Sequence, residues 1–468
     1  MFLLKLFFVA LALMSCSGSL SEPWEEVEED ADKEEAVINY VTGSIWPKPQ
    51  SYKGTGKVYT LTSNNFSFDS VGETSDVLKQ ALMRYKVLVF PDAVEKPKDG
   101  LSQIIKLTVK VLDKYAPPSL ESDESCLETF SQVVYQDQMG LYLANGSKIV
   151  DHPRFQHRGF MIDTSRHYLH PSIILKFIDA LSYSKFNVFH WHVVDDQSFP
   201  FVSETFPQLS GQGAYNNKTH VFTKDDVNDI VEYGRMRGIR VVPEFDTPGH
   251  TRSWGSIENL LTPCYSEGKP SGASNPNITT WMKKMGYGQN YSLLEQYYEQ
   301  HLLSIVEGLG KSYIVWQEVV DNDIKVLPDT VVNVWKAGWK KEMEKVTSKG
   351  LRTILSACWY LNRIQYRIDW DKYYTCEPTD FTGTEEQKEL VIGGTGCMWG
   401  EYVDGTNILP RTWPRALAVG ERLWSSKDTT DLNDAKMRLW EHRCRYVRRG
   451  IPAEPGTRSQ YCRYEWRV

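Results

Sequence analysis

Residues 186–196 read FNVFHWHVVDD, a short apolar run with β-branched residues inside it and a polar carboxyl end. Such runs are typical of the strands of a (β/α)₈ barrel, whose carboxyl ends all open onto one face and there form the active site. An α/β fold, a TIM-type (β/α)₈ barrel, is therefore predicted. Six further runs of this kind are GFMIDTSRHY (159–168), IRVVPEFDTPGH (239–250), SYIVWQEVVD (312–321), VVNVWK (331–336), TILSACWYLNR (353–363) and LVIGGTGCMWGE (390–401).

The fourth strand of this predicted barrel is missing from the pattern. The third run begins at residue 239 and the next only at residue 312, and no strand signal lies between them. A barrel that lacks one strand leaves the backbone groups of two edges unpaired. The gap therefore bears on folding as well as on chemistry.

The bulk composition is that of an ordinary globular protein. With 468 residues, the chain is long enough for a barrel and an additional smaller unit. Hydrophobic residues make up 41% and charged residues 24%, which fits a large buried core. The net charge of −7 and the absence of a basic run argue against a nucleic-acid partner.

The first residues, MFLLKLFFVALALMSCSGSL, predict a secretory signal over 1–21. An acidic lead-in over 22–40 follows it. No later segment approaches about 18 consecutive apolar residues, so no membrane span is expected. A secreted or lumenal protein is predicted, and five glycosylation sequons agree with this: Asn65, Asn145, Asn217, Asn277 and Asn290.

Two domains follow the lead-in. Residues 41–150 predict a small α+β domain, with strands at KVYTLT, YKVLVF and IIKLTVKVL and a helix at SDVLKQALMRYK. Residues 151–468 predict the barrel. Of the eight cysteines, Cys16 leaves with the signal, so the remaining odd number leaves at least one thiol without an internal partner. Cys444 and Cys462 are the preferred disulfide, and Cys264 has no obvious mate.

Several polar side chains stand at predicted strand ends. Arg166 suits two neighbouring hydroxyls, although a salt bridge to Asp163 or another strand-end acid is an equal alternative. Asp195 is at a ligand-contacting position or caps a turn. Asp246 and His250 form an acid–imidazole unit that orients substrate or fixes its own loop.

Two histidines on one strand raise the question of a metal. His190 and His192 alternate with Trp191, so both imidazoles face one side of the strand. No third ligand lies at a useful spacing, and no zinc-type cysteine pattern occurs. Hydrogen-bonded barrel histidines are preferred, and no metal or cofactor is predicted.

Aromatic residues end three different strands. One such tryptophan would be ordinary packing, but Trp316, Trp335 and Trp399 at one mouth predict an aromatic box. Tyr360 adds a hydroxyl near the box. The ligand predicted from the whole set is neutral, rich in hydroxyls and carbohydrate-like, because an amide, a cation and a carboxylate are also available: Asn362, Arg363 and Glu401.

These motifs together resemble the family 20 glycoside hydrolases, the lysosomal β-N-acetylhexosaminidases. The resemblance is carried by HRGFMIDTSRHY, NVFHWHVVDDQSFP, EFDTPGHTRSWG, YIVWQEV, WYLNRI, CMWGEYVD and WPRALAVGERLW. WYLNRI is more similar to the α-type subunit, in which the Asn and Arg favour negatively charged substrates. The resemblance implies a homo- or heterodimer with a related subunit, in the lysosome or secreted.

The resemblance also implies a reaction. Terminal non-reducing N-acetylhexosamine is hydrolysed from glycans or glycolipids with retention, and the sugar's own acetamido oxygen is the nucleophile. Tyr360 is then expected to donate to the acetamido carbonyl, and the three tryptophans to enclose its methyl group. His250 supports the acid. Three residues are expected to hold the ring hydroxyls: Arg166, Asp195 and Glu401.

The chain departs from the family at its catalytic pair. The Gly-Gly-Asp-Glu type motif, with the general acid and the orienting Asp, does not occur, and the sequence is shortened near 273 and again near 125. Cys358 and Thr395 replace the family's usual Pro and Glu. Glu318 either points into the cavity or is buried and paired. Since a general acid contributes typically about 10²–10⁴-fold, impaired turnover is predicted, with a non-catalytic sugar-binding or dimer-partner protein, or a misfolded product, as alternatives.

Overall fold

The structure is a computed structural model, and it describes residues 43–72, 75–92, 96–110, 127–137, 139–256, 276–363, 369–456 and 461–462. Several predictions lie outside these ranges: the signal over 1–21, the lead-in over 22–40, Cys264, and the two shortened places near 125 and 273. Among the described residues, no helix has the length and apolar character needed to cross a membrane.

The secondary structure follows the chain in two parts. The strands are β1 (Ser51–Leu61), β2 (Ser67–Val71), β3 (Lys106–Lys110), β4 (Val134–Gln136), β5 (Tyr142–Val150), β6 (His157–Asp163), β7 (Val188–Val194), β8 (Arg240–Phe245), β9 (Ile314–Trp316), β10 (Val331–Val334), β11 (Arg352–Leu355) and β12 (Val391–Met398). The helices are α1 (Asp76–Val89), α2 (Leu127–Val133), α3 (Pro171–Tyr183), α4 (Gln208–Gly213), α5 (Lys224–Arg235), α6 (Pro276–Lys284), α7 (Tyr291–Gly308), α8 (Glu318–Asp321), α9 (Trp339–Ser348), α10 (Trp370–Tyr374), α11 (Glu385–Glu389), α12 (Ile408–Thr412), α13 (Arg415–Trp424) and α14 (Leu432–Arg448).

The first part is α+β. An antiparallel sheet has the order β1-β5-β4, and β2 pairs with β3 in parallel. The predicted strand YKVLVF is wrong, because α1 continues to Val89 and ends where the Phe90 N–H donates to the Lys86 carbonyl. Tyr85 and Val89 lie four residues apart and are both buried, so this apolar run satisfies a helical period as well.

The second part is a curled parallel sheet of seven strands in the order β8-β7-β6-β12-β11-β10-β9. Each of the seven predicted strands is confirmed, and each has its chemically reactive end at the same rim. Every residue of β6, β10 and β12 is buried. The helix α13 packs against β6 and β12, and the predicted Cys444–Cys462 disulfide is present.

Among the described residues, which omit 257–275, the sheet is open between β8 and β9. In this part of the chain each of the two strands is paired on one side only, β8 with β7 and β9 with β10. Neither is covered as the interior strands are, and the Phe245 side chain at the end of β8 is 38% exposed. The neighbouring helices α5 and α7 also expose apolar side chains, including Val231 and Ile305. The opening lies where the fourth strand of a barrel belongs.

Candidate active site

Glu244 on β8 contacts three side chains near the carboxyl ends of the strands. Its carboxylate binds His190 Nε2 at 2.6 Å and Trp316 Nε1 at 2.6 Å, and lies 2.9 Å from His192 Nδ1. The two histidines therefore face one side of β7, as predicted, and both contact carboxylates. Burial acts to lower the pKa of His192, but the charges and hydrogen bonds of Glu244 and Asp195 outweigh it and raise the pKa well above its usual value.

Asp195 joins three cationic or imidazole groups. It binds Arg166 Nη1 at 2.7 Å, His192 Nε2 at 2.6 Å and His250 Nδ1 at 3.1 Å. Burial favours its neutral form, but these partners hold its pKa far below the usual range. The Asp195 side chain has no exposed surface, so a sugar hydroxyl reaches it only if Arg166 or His250 moves. Its role as a hydroxyl ligand stays a prediction.

Arg166 forms the salt bridge that the sequence analysis gave as the alternative to hydroxyl binding. Its Nη1 lies 3.0 Å from Asp163 Oδ2 as well as 2.7 Å from Asp195. The guanidinium also lies over the Trp399 ring, 4.9 Å from the centroid. Arg166 thus connects the acid cluster to the aromatic residues, and 10% of its side chain remains exposed for a ligand.

The predicted pairing of His250 with Asp246 is corrected, because a different carboxylate is the hydrogen-bond partner of His250. His250 binds Asp195, because both lie in the segments that follow neighbouring strands β7 and β8, whereas no hydrogen bond joins His250 to Asp246 among the described residues. Burial first, and then the charge of Glu244, raise the pKa of Asp246 to about 7. Asp246 directly follows β8, two positions after Glu244.

The predicted aromatic box is formed by four rings in a cycle. Trp316 contacts Trp335 and Trp399 with centroid distances of 6.2 Å each. Tyr360 closes the cycle, at 6.0 Å from Trp335 in a stacked geometry and at 6.4 Å from Trp399. Burial raises the pKa of the Tyr360 hydroxyl, which therefore stays protonated and can donate a hydrogen bond.

The remaining predicted ligands lie around this box. The Arg363 guanidinium is exposed and 6.0 Å from the Tyr360 ring centroid. The Asn362 Oδ1 is buried without a hydrogen bond among the described residues. Glu401 is exposed, two residues beyond Trp399, and its charge acts on Arg166.

Glu318, the alternative acid, is paired. Both of its carboxylate oxygens accept from the Trp335 indole N–H at 3.1 Å, and Lys336 Nζ lies 3.0 Å away. These contacts hold Glu318 beside Trp335, and its charge acts on Tyr360. A separate crevice of about 620 Å³, lined among others by Arg84, Tyr233 and Arg237, lies between α1 and α5 and contains none of the predicted site residues.

Two features escaped the sequence analysis. Cys358 is bonded to Cys376, 18 residues further on, the same spacing as in the predicted disulfide, and this repeat was the available signal. The bond joins the segment that carries Tyr360 to the one after α10. Thr395, the other departure in the motifs, is buried and lies 3.0 Å from His157 Nε2.

Replacing Cys358 and Cys376 together by Ser is expected to weaken sugar binding several-fold as well as stability. A disulfide that closes a loop of this length contributes about 3 kcal/mol, and this one restrains Tyr360, two residues away. Denaturant unfolding and calorimetry with a GlcNAc-derived lactam measure the two effects. Serines at Cys444 and Cys462 are the control, with a stability loss alone. Unchanged affinity in the first variant contradicts the positioning role.

Comparisons with known proteins bear on this geometry. The family described as "Glycosyl hydrolase family 20, catalytic domain" matches residues 155–272 and 269–427. The beta-hexosaminidase subunit beta of Felis catus is 43% identical over 505 residues, covering 91% of this chain and 95% of its own length.

The chain belongs to glycosyl hydrolase family 20. The beta-hexosaminidase subunit alpha of Rattus norvegicus is 42% identical over 514 residues, covering 92% of this chain and 97% of its own length, so overall identity does not separate the two subunit types. The α-type likeness therefore rests on Asn362 and Arg363.

The family 20 fold is also found in solved structures. A Flavobacterium johnsoniae chitobiase matches with a TM-score of 0.73 at 23% identity, over 87% of this chain and 73% of its own. A Vibrio harveyi GH20 exo beta-N-acetylglucosaminidase matches with a TM-score of 0.74 at 18% identity, over 88% and 78%. At these identities, the likeness establishes the barrel fold alone.

Proposed function

We propose that this chain is a β-N-acetylhexosaminidase that binds terminal non-reducing N-acetylhexosamine of glycans or glycolipids and hydrolyses it with lowered turnover. The observation that carries the proposal is the four-ring box of Trp316, Trp335, Tyr360 and Trp399 at the carboxyl rim of the barrel. A cage of this kind suits a small apolar group such as the acetamido methyl.

The residues of the box divide the work of substrate-assisted catalysis. The Tyr360 hydroxyl, held protonated by burial, donates to the acetamido carbonyl and sets that oxygen toward the anomeric carbon. The three tryptophans enclose the methyl group and exclude water from the acetamide. Arg166 and Glu401, beside Trp399, bind ring hydroxyls. No cofactor enters this scheme.

The lowered turnover rests on the missing acid pair. In the part of the chain that the structure describes, no strand stands between β8 and β9, where the strand carrying that pair belongs. The family match is divided in two at residues 269–272. The alignment with the Felis catus subunit extends over 505 positions although this chain has only 468 residues, so the relative has segments that find no counterpart here. These observations support an internal deletion.

A non-catalytic sugar-binding protein, or the partner of a related subunit, is the second candidate. The box is complete while the acid pair has no counterpart in the sequence, so binding can outlast hydrolysis. The relatives include both alpha and beta subunits of beta-hexosaminidase, which supports a dimeric partnership. Turnover by the purified chain separates the two candidates.

The charge cluster suits an acidic compartment, and we place the chain in the lysosome or outside the cell. The folded pKa of Asp195 is depressed, so its stabilising effect is fully present above about 3.9 and is lost only as pH falls through the lower folded value. The folded pKa of His192 is raised, so its contribution is fully present below about 6.5 and is lost as pH rises through the raised value.

Binding of a GlcNAc-derived lactam inhibitor tests the proposal, with Trp399→Ala as the probe. Removing a central aromatic ring typically costs at least about 2 kcal/mol of binding, so the dissociation constant should rise about 30-fold. Calorimetry on the purified chain gives the affinity, and a chromogenic GlcNAc substrate gives the turnover.

Tyr52→Ala, in the N-terminal strand β1, is the control and should leave the affinity unchanged. An unmodified chain that is folded but does not bind the lactam contradicts the proposed function. Binding without any turnover favours the second candidate.

A further inference from the structure

We infer that His250, oriented by Asp195, is the proton donor to the glycosidic oxygen in this chain, in place of the carboxylic acid that the family uses. The inference rests on the proposed function, because it concerns the hydrolysis of the sugar held in the same box. It concerns a residue for which the family resemblance implies only a supporting role.

The geometry is that of an oriented acid–base pair. His250 Nδ1 lies 3.1 Å from Asp195 Oδ1 and 3.3 Å from Arg166 Nη2, and Asp195 is itself fixed by Arg166 and His192. A buried carboxylate that holds one imidazole nitrogen leaves the other to exchange protons with substrate. The Nε2 has no hydrogen-bond partner among the described residues, and 49% of the His250 side chain is exposed.

The position is next to both the box and the opening in the sheet. His250 follows β8, the strand that borders the opening, and Arg166 links its partner Asp195 to Trp399 through the contact at 4.9 Å from the ring centroid. A leaving group that projects from a sugar in the box toward the opening therefore comes near His250 rather than near a side chain of β10–β12.

Other carboxyls at the rim are poorer donors. Asp195 is fully buried and held as an anion by three partners. Glu318 is bound to Trp335 and Lys336. Burial raises the pKa of Asp246 to about 7, but its carboxylate lies within 4.8 Å of His192 and Asp195, and Asp246 is less exposed than His250. His250 is the exposed member of this group.

Charged groups from each neighbouring segment act on His250. The hydrogen bond from Asp195 is the largest influence and raises its pKa, the charge of Asp246 acts in the same direction, and burial and Arg166 oppose them. Asp196 also lies within 4.8 Å. Since the donor must be protonated, turnover should be full below the raised pKa and should fall as pH rises through it.

The reaction needs only the His250 imidazolium, the acetamido group of the sugar and one water molecule. The His250 imidazolium passes its Nε2 proton to the glycosidic oxygen while the C1–O bond breaks and its electron pair goes to that oxygen. The acetamido carbonyl oxygen forms a bond to C1 and gives the oxazolinium. The neutral imidazole then takes a proton from water, whose oxygen bonds to C1 as the acetamido C1–O bond breaks.

The leaving group tests a proton donor. A methylumbelliferyl GlcNAc glycoside needs the proton, whereas a dinitrophenyl glycoside leaves readily without it. His250→Gln should lower turnover of the first substrate by about 10²-fold or more and that of the second by far less. At pH 5, below the pKa of about 7 to which burial raises Asp246, Asp246→Asn should leave the ratio of the two rates unchanged. The exposed Glu204→Gln should leave both rates unchanged.

Two further readouts keep the inference open to contradiction. Lactam affinity within a few-fold of the unmodified chain shows that His250→Gln is folded, and in the unmodified chain the fall at alkaline pH should be confined to the methylumbelliferyl substrate. Equal loss on both substrates, or a changed ratio in Asp246→Asn, overturns the inference alone. Lactam binding without turnover of either substrate overturns the inference together with the proposed hydrolysis and leaves the sugar-binding candidate. Failure of the unmodified chain to bind the lactam overturns the proposed function.

Discussion

Inserting a strand-and-helix segment whose strand ends in Asp-Glu between β8 and β9 is expected to raise turnover at least about 10²-fold. A carboxylic acid at the end of that strand would stand beside the box, and the adjacent Asp would hold the acetamido N–H. The measurement is turnover of a methylumbelliferyl GlcNAc glycoside by purified protein at acidic pH.

The control is the same insertion with Asn-Gln in place of Asp-Glu. Both insertions pair the free edges of β8 and β9 and cover Phe245, so both should raise the melting temperature. Only the acidic pair should raise turnover. An equal gain from Asn-Gln means that barrel closure, and not the acid, limits the reaction. No change in melting temperature from either insertion contradicts the assignment of the opening to a missing fourth strand.

Asp195→Ala is expected to destabilise the chain by about 3–5 kcal/mol, the range typical of a broken buried ion pair. The carboxylate is fully buried and neutralises Arg166 and His192, which would be left without it in a site of low polarity. His250 would also lose the partner of its Nδ1. Denaturant unfolding gives the stability, and lactam calorimetry near pH 5 gives the binding.

The neighbouring Asp196→Ala is a matched control. Its carboxylate accepts from the exposed Arg252 N–H at 2.9 Å, so its loss should cost only about 1 kcal/mol. If the two variants lose the same stability, Asp195 is not the anchor of the cluster.

The seven barrel strands could be predicted because each combines an apolar interior with reactive residues at its carboxyl end. The helix over Tyr85 and Val89 could not, since a short apolar run fits a strand and one face of a helix equally well. Val89 packs into the N-terminal core and the buried Tyr85 hydroxyl donates to Glu128, and only these contacts decide between the two structures.

The sequence predicts which residues lie together at the carboxyl ends of the strands. Parallel strands bring their ends together, so the box of Trp316, Trp335 and Trp399 followed from position along the chain. The hydrogen-bond partners of these residues could not be predicted in the same way. Glu244 binds His190 across the β7–β8 register, and His250 selects Asp195 over Asp246, and both depend on distances between strands that one sequence does not contain.

The open sheet has a consequence for how copies of this chain meet. Among the described residues, β8 and β9 each have one side without a strand neighbour, and the two sides belong to opposite margins of the parallel sheet. Pairing of β8 in one molecule with β9 in the next would be head-to-tail, and a contact of this kind gives open chains of molecules. The dimeric partnership proposed above therefore needs a two-fold contact elsewhere on the surface.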